Sequence, residues 1–493
     1  MSTAADVHAA PPAAAGALLP MPTKLWYTLG QLGEGIKNES FSYFLLFYYT
    51  NVLDLSGTLA GLAYLISMVV DAVADPMMGV LTDRTRSRLG RRHPWIFASA
   101  LPLALSLYLV FAPPAGLSQG WLFAWMLVWT LVNRFALTMF HVPYLALGAE
   151  LTRDWHERTV LVSMRHSFGQ LALFAPAVLG FMWLFRDSAE HGQGRFYAPA
   201  YPVYAAICGV AVFMLVLASA WKTRDRIPHL AQPDTLGDGR NALSATWHDL
   251  LDLLRQRSFR AVFFGLAIAS VASGVTLNLG LHAASFFWDI SSGVLAAWRI
   301  VVALAILAGL AFWTRRARTH DKGVLFSEGL IWYVVIHTAV WLAATYGFWP
   351  DRSHAWYVPF YLIGTGFLAP FAVASTFAMG QSMMADCADQ DECDTGRRRE
   401  GVFFGAASLA MKVTLGGGAL LAGLISDFVG MTGLHSIADV TPQMREHIGI
   451  AMTLSVLALM GLSLLVFRQY DLSRARLADI HARLEARRSA AGG

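Results

Sequence analysis

Charge is scarce in this sequence: Lys, Arg, Asp and Glu make up 14% of its 493 residues, against about a quarter in a soluble domain, while 56% are hydrophobic. That balance excludes water as the main solvent. Cysteine is scarcer still, and Cys208, Cys387 and Cys393 are too few for a disulfide framework. The last two fall in a charged segment read as cytoplasmic, where thiols stay reduced, and their Cys-x5-Cys spacing lacks the further ligands of a structural zinc. The first twenty residues contain neither Lys nor Arg, which argues against a cleavable signal peptide. Residues 1–22 read as a disordered tail. No loop is long enough for a catalytic domain, and no nucleotide-binding or metal-ligand motif occurs, so neither an enzyme nor a cofactor is expected.

What is present is a series of apolar stretches, each of roughly twenty residues and able to cross a hydrocarbon core of about 30 Å as a helix. They fall at 26–50, 58–81, 94–113, 121–146, 162–186, 200–221, 260–288, 294–314, 324–347, 354–380, 401–428 and 447–468. One or two spans would suggest a receptor or an anchored enzyme; twelve suggest a carrier. Basic residues gather in Asp83 to His93, Arg153 to Arg158, Trp221 to Arg226, Arg315 to Lys322 and Arg397 to Arg399, all after even-numbered spans. By the positive-inside rule both termini of a multi-pass inner-membrane protein then lie in the cytoplasm.

The longest polar stretch, residues 223–258, separates two six-helix bundles at 23–222 and 259–469, the layout of pseudo-repeated halves. A weak repeat supports this division. AELTRDWHERTVLVSMR after span four and ADCADQDECDTGRRREG after span ten each put acidic residues at a helix end and basic ones behind them. In the tail, 470–493, Leu477, Ile480 and Leu484 recur at helical spacing among arginines. They predict an amphipathic helix near anionic lipid or the cytoplasmic face. The fold class is all-α and polytopic.

An ionisable side chain inside a span costs about 2.5–3.5 kcal/mol on insertion scales, and so marks a functional site by default. Asp71 and Asp75 in YLISMVVDAVADPMMG stand at i, i+4 on one helical face, together with Tyr64, Ser67 and Met78. Two carboxylates this close in a low dielectric need a cation, or one of them takes a proton. Na⁺ and H⁺ therefore compete for the same place; the structural alternative is a buried ion pair with Lys or Arg from another helix. Pro76 can kink the helix beside them. Span four carries Arg134, Thr138 and His141 on one face, and Arg165 opens span five with a fork suited to carboxylates or paired hydroxyls. Lys412, in SLAMKVTLGGG, requires an acidic or polar partner, with the span-two pair as the obvious candidate. Gly416, Gly417 and Gly418 behind it permit close helix approach. Glu34 and Lys37 can pair at i, i+3 in span one.

The segments DAVADPMMGVLTDRTRSRLGRRHPW, FYYTNVLDLS, HVPYLALGAELTRDWHERTVLVSMR and MADCADQDECDTGRRREGVFFGAASLAMKVTLGGG carry a likeness over most of the chain. The sequence resembles the glycoside-pentoside-hexuronide:cation symporters, the melibiose-carrier branch of the major facilitator superfamily. The resemblance implies that Asp71 and Asp75 ligate the coupling cation, with a hydroxyl from Thr138. It also implies that Arg165 lines the substrate cavity and that Lys412 lies between the cation and sugar sites. Three departures stand out: Ala74 replaces an Asn, His141 replaces an acidic residue, and Glu34 and Gly35 replace a Lys-Asp pair. Related sodium-coupled lysolipid carriers share the span-two carboxylates, so a lysolipid is the alternative substrate. A sensor or enzyme on a transporter scaffold is the alternative of a different class.

The expected activity is cation-coupled symport of a sugar or glycoside by alternating access. Glu34, His141, Arg165 and Lys412 are the expected substrate contacts. A cytoplasmic gate is expected from Asp83, Arg84, Arg91 and Arg92 of the basic loop against Glu150 and Asp386. A monomer in membrane lipid, with no nucleic-acid partner, completes the expectation.

Overall fold

The computed structural model describes residues 19–491 apart from 153, 173, 175, 191, 230–251 and 397–398. Most of the expected tail at 1–22 and the middle of the expected linker at 223–258 lie outside the described residues.

Among the described residues twelve long helical stretches follow one another. In the first half α1 runs over Met21–Ser40 and continues through Phe41–Leu45 to Leu46–Asn51. Then come α2 (Gly57–Arg84), α3 (His93–Val110), α4 (Gln119–Leu151), α5 (Trp155–Leu171, then Pro176–Leu184) and α6 (Ala200–Thr223). The second half comprises α7 (Arg257–His282, then Ala283–Phe287), α8 (Ser292–Arg316) and α9 (Lys322–Thr345). It is completed by α10 (Tyr357–Tyr361 to Ala369–Thr395), α11 (Glu400–Val429) and α12 (Pro442–Phe467). A last helix, α13, spans Arg474–Ala491.

Ten of these helices are long and apolar enough to cross a membrane by length and composition. The other two are α1 and α5. Glu34, Lys37, Asn38 and Glu39 dilute the hydropathy of α1, and Arg165, His166 and Gln170 do the same for α5.

Packing repeats with a period of six helices. Within the first half α1 packs on α5 and α6, α2 on α4, and α3 on α4 and α6. Adding six to each label gives the pairs of the second half: α7 on α11 and α12, α8 on α10, and α9 on α10 and α12. The halves meet along α2 with α11 and along α5 with α8, which the same operation exchanges. This is the pseudo-two-fold architecture of the major facilitator fold.

Small residues make the α2–α11 seam close. A Cβ built on Gly423 would stand 1.9 Å from the Gly57 carbonyl oxygen, and one on Gly61 2.7 Å from the Ala419 oxygen. Of the three adjacent glycines, Gly416 meets Met68 and Leu65 of α2, and Gly418 meets Gly274 of α7. Gly417 faces open space.

The helices exceed their apolar spans at the basic end. Glu150 lies inside α4, and α10 runs on to Thr395 before Gly396 (φ +72°) caps it. Stretches read from the sequence as loops are therefore helix ends, because Ala, Glu, Gln and Met are good helix formers and extend a helix once it leaves the lipid. Leu477, Ile480 and Leu484 of α13 are buried with Leu253, Cys387 and Cys393. The apolar face of the tail is thus taken up by protein.

Candidate functional site

A cavity of about 500 Å³ opens between the halves, lined by α1, α2, α4, α7, α10 and α11. Its charged wall is built by helical spacing. Asp71 and Asp75 project from the same face of α2, which runs unbroken through Pro76 rather than ending there. From α4, which packs on α2, the Thr138 hydroxyl lies 2.9 Å from Asp71 Oδ1 and 3.0 Å from Asp75 Oδ1. Having one hydrogen, it donates to one carboxylate at a time.

From the other half, the Lys412 ammonium stands 2.8 Å from Asp71 Oδ2 and bonds Asp75 Oδ2 as well. Arg134 lies close enough to act on Asp71 and donates to the Tyr64 hydroxyl at 3.1 Å. The carboxylate pair is thus compensated by Lys412, the partner the sequence offers for it, with Arg134 beside it. The Oδ2 atoms of Asp71 and Asp75 converge on that ammonium, while Thr138 bonds their Oδ1 atoms; carboxylate and hydroxyl oxygens are hard donors of the kind that suit a small cation. Asp71 is buried at 3% exposure, whereas Asp75 keeps 25% towards the cavity.

Glu34 and His141 form a second pair, Oε2 to Nδ1 at 2.9 Å, on the same cavity wall. Glu34 therefore pairs across to α4 and not along α1 to Lys37. Lys37 is fully buried, with its ammonium 4.4 Å from the Phe41 ring centre and 3.3 Å from Asn38 Oδ1. Arg165 does not line the cavity. Its guanidinium faces the Tyr27 hydroxyl and acts on Glu34, because α5 packs along α1 from Lys24 to Gly35.

At the basic end, Glu150 Oε1 accepts from Arg91 at 2.8 Å and Arg92 at 2.9 Å, and Arg92 also reaches Asp83 at 2.6 Å. Arg84 is exposed. Asp386 pairs with Lys322 at 2.7 Å and not with the Asp83 to His93 loop. The six-helix repeat supplies the reason: Arg92 at the start of α3 holds the end of α4, and Lys322 at the start of α9 holds the end of α10. Each of these pairs ties a half to itself.

Bonds joining the halves gather at the opposite end. Asp427, ending α11, caps the start of α2: it accepts from Gly57 N at 2.7 Å, Thr58 N at 2.8 Å and the Ser56 hydroxyl at 2.7 Å. Asp187, after α5, caps α8 in the same way, accepting from Ser292 N at 2.9 Å and its hydroxyl at 2.7 Å. A carboxylate at a helix N-terminus meets free N–H donors and the positive end of the dipole. The internal repeat exchanges these two caps. Neither was singled out in the sequence; the available signal was a lone Asp closing an apolar span just before a glycine turn or polar loop. Nearer the cavity Arg299 of α8 bonds Glu39 of α1 and lies 3.7 Å from the Tyr43 ring centre.

Comparison with known proteins agrees with this architecture. The sequence profile of MFS/sugar transport proteins matches residues 26–474. An uncharacterised symporter of Synechocystis sp. is 26% identical over 94% of this chain and 96% of its own length. A putative glycoside/cation symporter of Escherichia coli, YagG, is 25% identical over 96% and 97%. An isoprimeverose transporter of Lactiplantibacillus pentosus is 22% identical over 85% and 82%. Among solved structures, the peptide transporter POT superposes with a TM-score of 0.62 at 12% identity, covering 93% of this chain and 98% of that one.

Proposed function

The chain belongs to the MFS/sugar transport protein family, a multi-pass membrane transport protein and not an enzyme, and on that premise we propose that it co-transports a sugar or glycoside with Na⁺ or H⁺. The observation that carries this reading is the Lys412 ammonium seated between Asp71 and Asp75. A tethered cation fills the place that a free one must take. Binding of Na⁺ or H⁺ at the two carboxylates weakens their hold on Lys412, and the released ammonium turns to the cavity as a donor for sugar hydroxyls. Solute and ion then stabilise the same arrangement, which is the thermodynamic content of coupling.

Glu34 and His141 offer an acceptor and a titratable partner on the same wall, and Arg134 a further donor. Arg165 serves as a positioning residue for Glu34. Assigning the basic loops to the cytoplasm puts both termini there. The end sealed by Asp427 and Asp187 then faces outward, and the cavity belongs to a state closed to the exterior. Alternating access requires those two caps to part while the inner ion pairs keep each half rigid.

Counterflow in proteoliposomes tests the reading. Exchange of labelled for unlabelled glycoside, enhanced by a Na⁺ or H⁺ gradient, supports it. Exchange of lysophosphatidylcholine with no response to any sugar overturns the sugar assignment, and absence of all exchange overturns carriage itself.

A further inference from the structure

A second cavity, of about 450 Å³, adjoins the charged one, and Ser273, Leu277 and Phe377 line both. We propose that this second cavity receives the aglycone of an aryl glycoside whose sugar occupies the charged cavity. The inference rests on the sugar-carrier reading above and specifies its substrate.

The two compartments differ in chemistry. Trp288, Trp298, Tyr333, Trp341 and Tyr361 surround the second one. Among the described residues its charged lining consists of Glu39 and Arg299, which are bonded to each other, and the guanidinium is stacked on Tyr43. A sugar placed among these rings would lose hydrogen bonds to water and find few free side-chain groups to replace them. A flat ring would gain offset and edge contacts with several partners. The volume falls in the range of about 300–1,000 Å³ typical of small-molecule sites.

The Ser273, Thr276 and Thr365 hydroxyls on this wall donate to carbonyls of their own helices, whereas His337 is placed differently. His337 is 8% exposed, its ring centre lies 5.7 Å from those of both Tyr333 and Trp341, and its Nδ1 is buried without a partner. With Nδ1 shut off from the cavity, the other nitrogen of this wall residue, Nε2, sets the requirement: a hydrogen-bonding group from whatever fills the space. A phenolic hydroxyl on the aglycone meets that requirement, and an alkyl chain does not. Gly280 of α7 also lines this space, and a Cβ built on it finds no atom within 4 Å. The volume is therefore open where a side chain can be added without moving the backbone.

The test uses the purified full-length protein and thermal-shift titration with methyl, phenyl and 4-hydroxyphenyl glycosides of xylose, glucose and galactose. Expected is half-saturation by an aryl glycoside at about ten-fold lower concentration than the methyl glycoside of the same sugar. The 4-hydroxyphenyl compound should bind better than the phenyl one, and His337→Phe should remove that difference. Gly280→Leu should bring the aryl-to-methyl ratio close to one; Val302→Phe, which fills the same cavity from α8, serves if the first variant fails to fold. Equal binding of methyl and aryl glycosides, or an unchanged ratio in the filled variants, overturns the aglycone site while leaving the sugar reading intact. No response to any glycoside overturns the sugar reading itself.

Discussion

Lys412 Nζ lies 2.8 Å from Asp71 Oδ2, an ion pair that crosses from one half of the molecule to the other at the charged cavity. Removing the ammonium leaves two carboxylates one helical turn apart without their main partner. Lys412→Ala should therefore bind the coupling cation more tightly, by about ten-fold, while losing accumulation of substrate. Isothermal titration with Na⁺ and pH-jump titration in parallel measure the first effect, and vesicle uptake measures the second. Unchanged cation affinity in this variant would mean that Lys412 and the ion do not share a place.

Asp71→Asn and Asp75→Asn should each reduce the accumulation ratio to about one, since coupling of this kind carries a factor of about 5–150. Their effects on stability should differ. Asp71 is buried, so breaking its pair costs about 3 kcal/mol; Asp75 is open to the cavity and costs about 1 kcal/mol. Melting in detergent distinguishes the two. Normal accumulation in the double variant would remove these carboxylates from the mechanism.

Asp427→Asn and Asp187→Asn should each shift the equilibrium towards an outward-open state by about 2 kcal/mol, or ~30-fold, through loss of charge-assisted hydrogen bonds. Because the caps sit on different seams and share no partner, their effects should add. Spin labels at Ala115 and Ser353, on outer loops of the two halves, report the separation by pulsed dipolar spectroscopy. An unchanged distance distribution in the double variant would dismiss both as latches.

Glu150→Gln and Asp386→Asn should lower the melting temperature without altering that same distance distribution. Each acid holds helices of its own half together, so neither gates the other half. A shift in the distances would restore the gate role expected from the sequence.

Asp471, in the link between α12 and α13, gives a pH-dependent test outside the membrane. Burial pushes its carboxyl up, but bonds from the Ser258 hydroxyl and Arg476 outweigh this and hold it below the ordinary carboxylate value. A lowered folded value means that the contribution is complete above about pH 4 and fades as pH falls through that folded value. The melting gap between wild type and Asp471→Asn should therefore be open at pH 7 and narrow progressively as the pH falls below about 4. A constant gap would show that the charge is not what docks the tail.

The charged site was legible because helical spacing alone aligns Asp71 with Asp75 and Thr138 with His141, and because a buried lysine must find an acid. Contacts between helices remote in sequence were not legible. Asp386 reads as a partner for the first basic loop until the fold gives it Lys322, and Arg165 reads as a cavity residue until packing turns it towards Tyr27. Hydropathy under-reads α1 and α5 for the same reason that makes α1 functional: polar groups such as Glu34 are kept inside a span. Asp427 and Asp187 escaped notice because a cap is a relation between a side chain and another helix's first turn, and no periodicity encodes it.

The two carboxylate caps have a consequence for the order of difficulty within a cycle. Every donor they release on parting is a backbone amide or hydroxyl at the rim, where bulk solvent can take over the bond, so separation strands nothing. Reclosure must then seat Gly57 and Gly61 against Gly423 and Ala419 with almost no spare room. The return of the rim to its sealed shape is thus the stroke on which side-chain bulk has most leverage, and a single added methyl there should slow turnover without touching affinity for solute or ion.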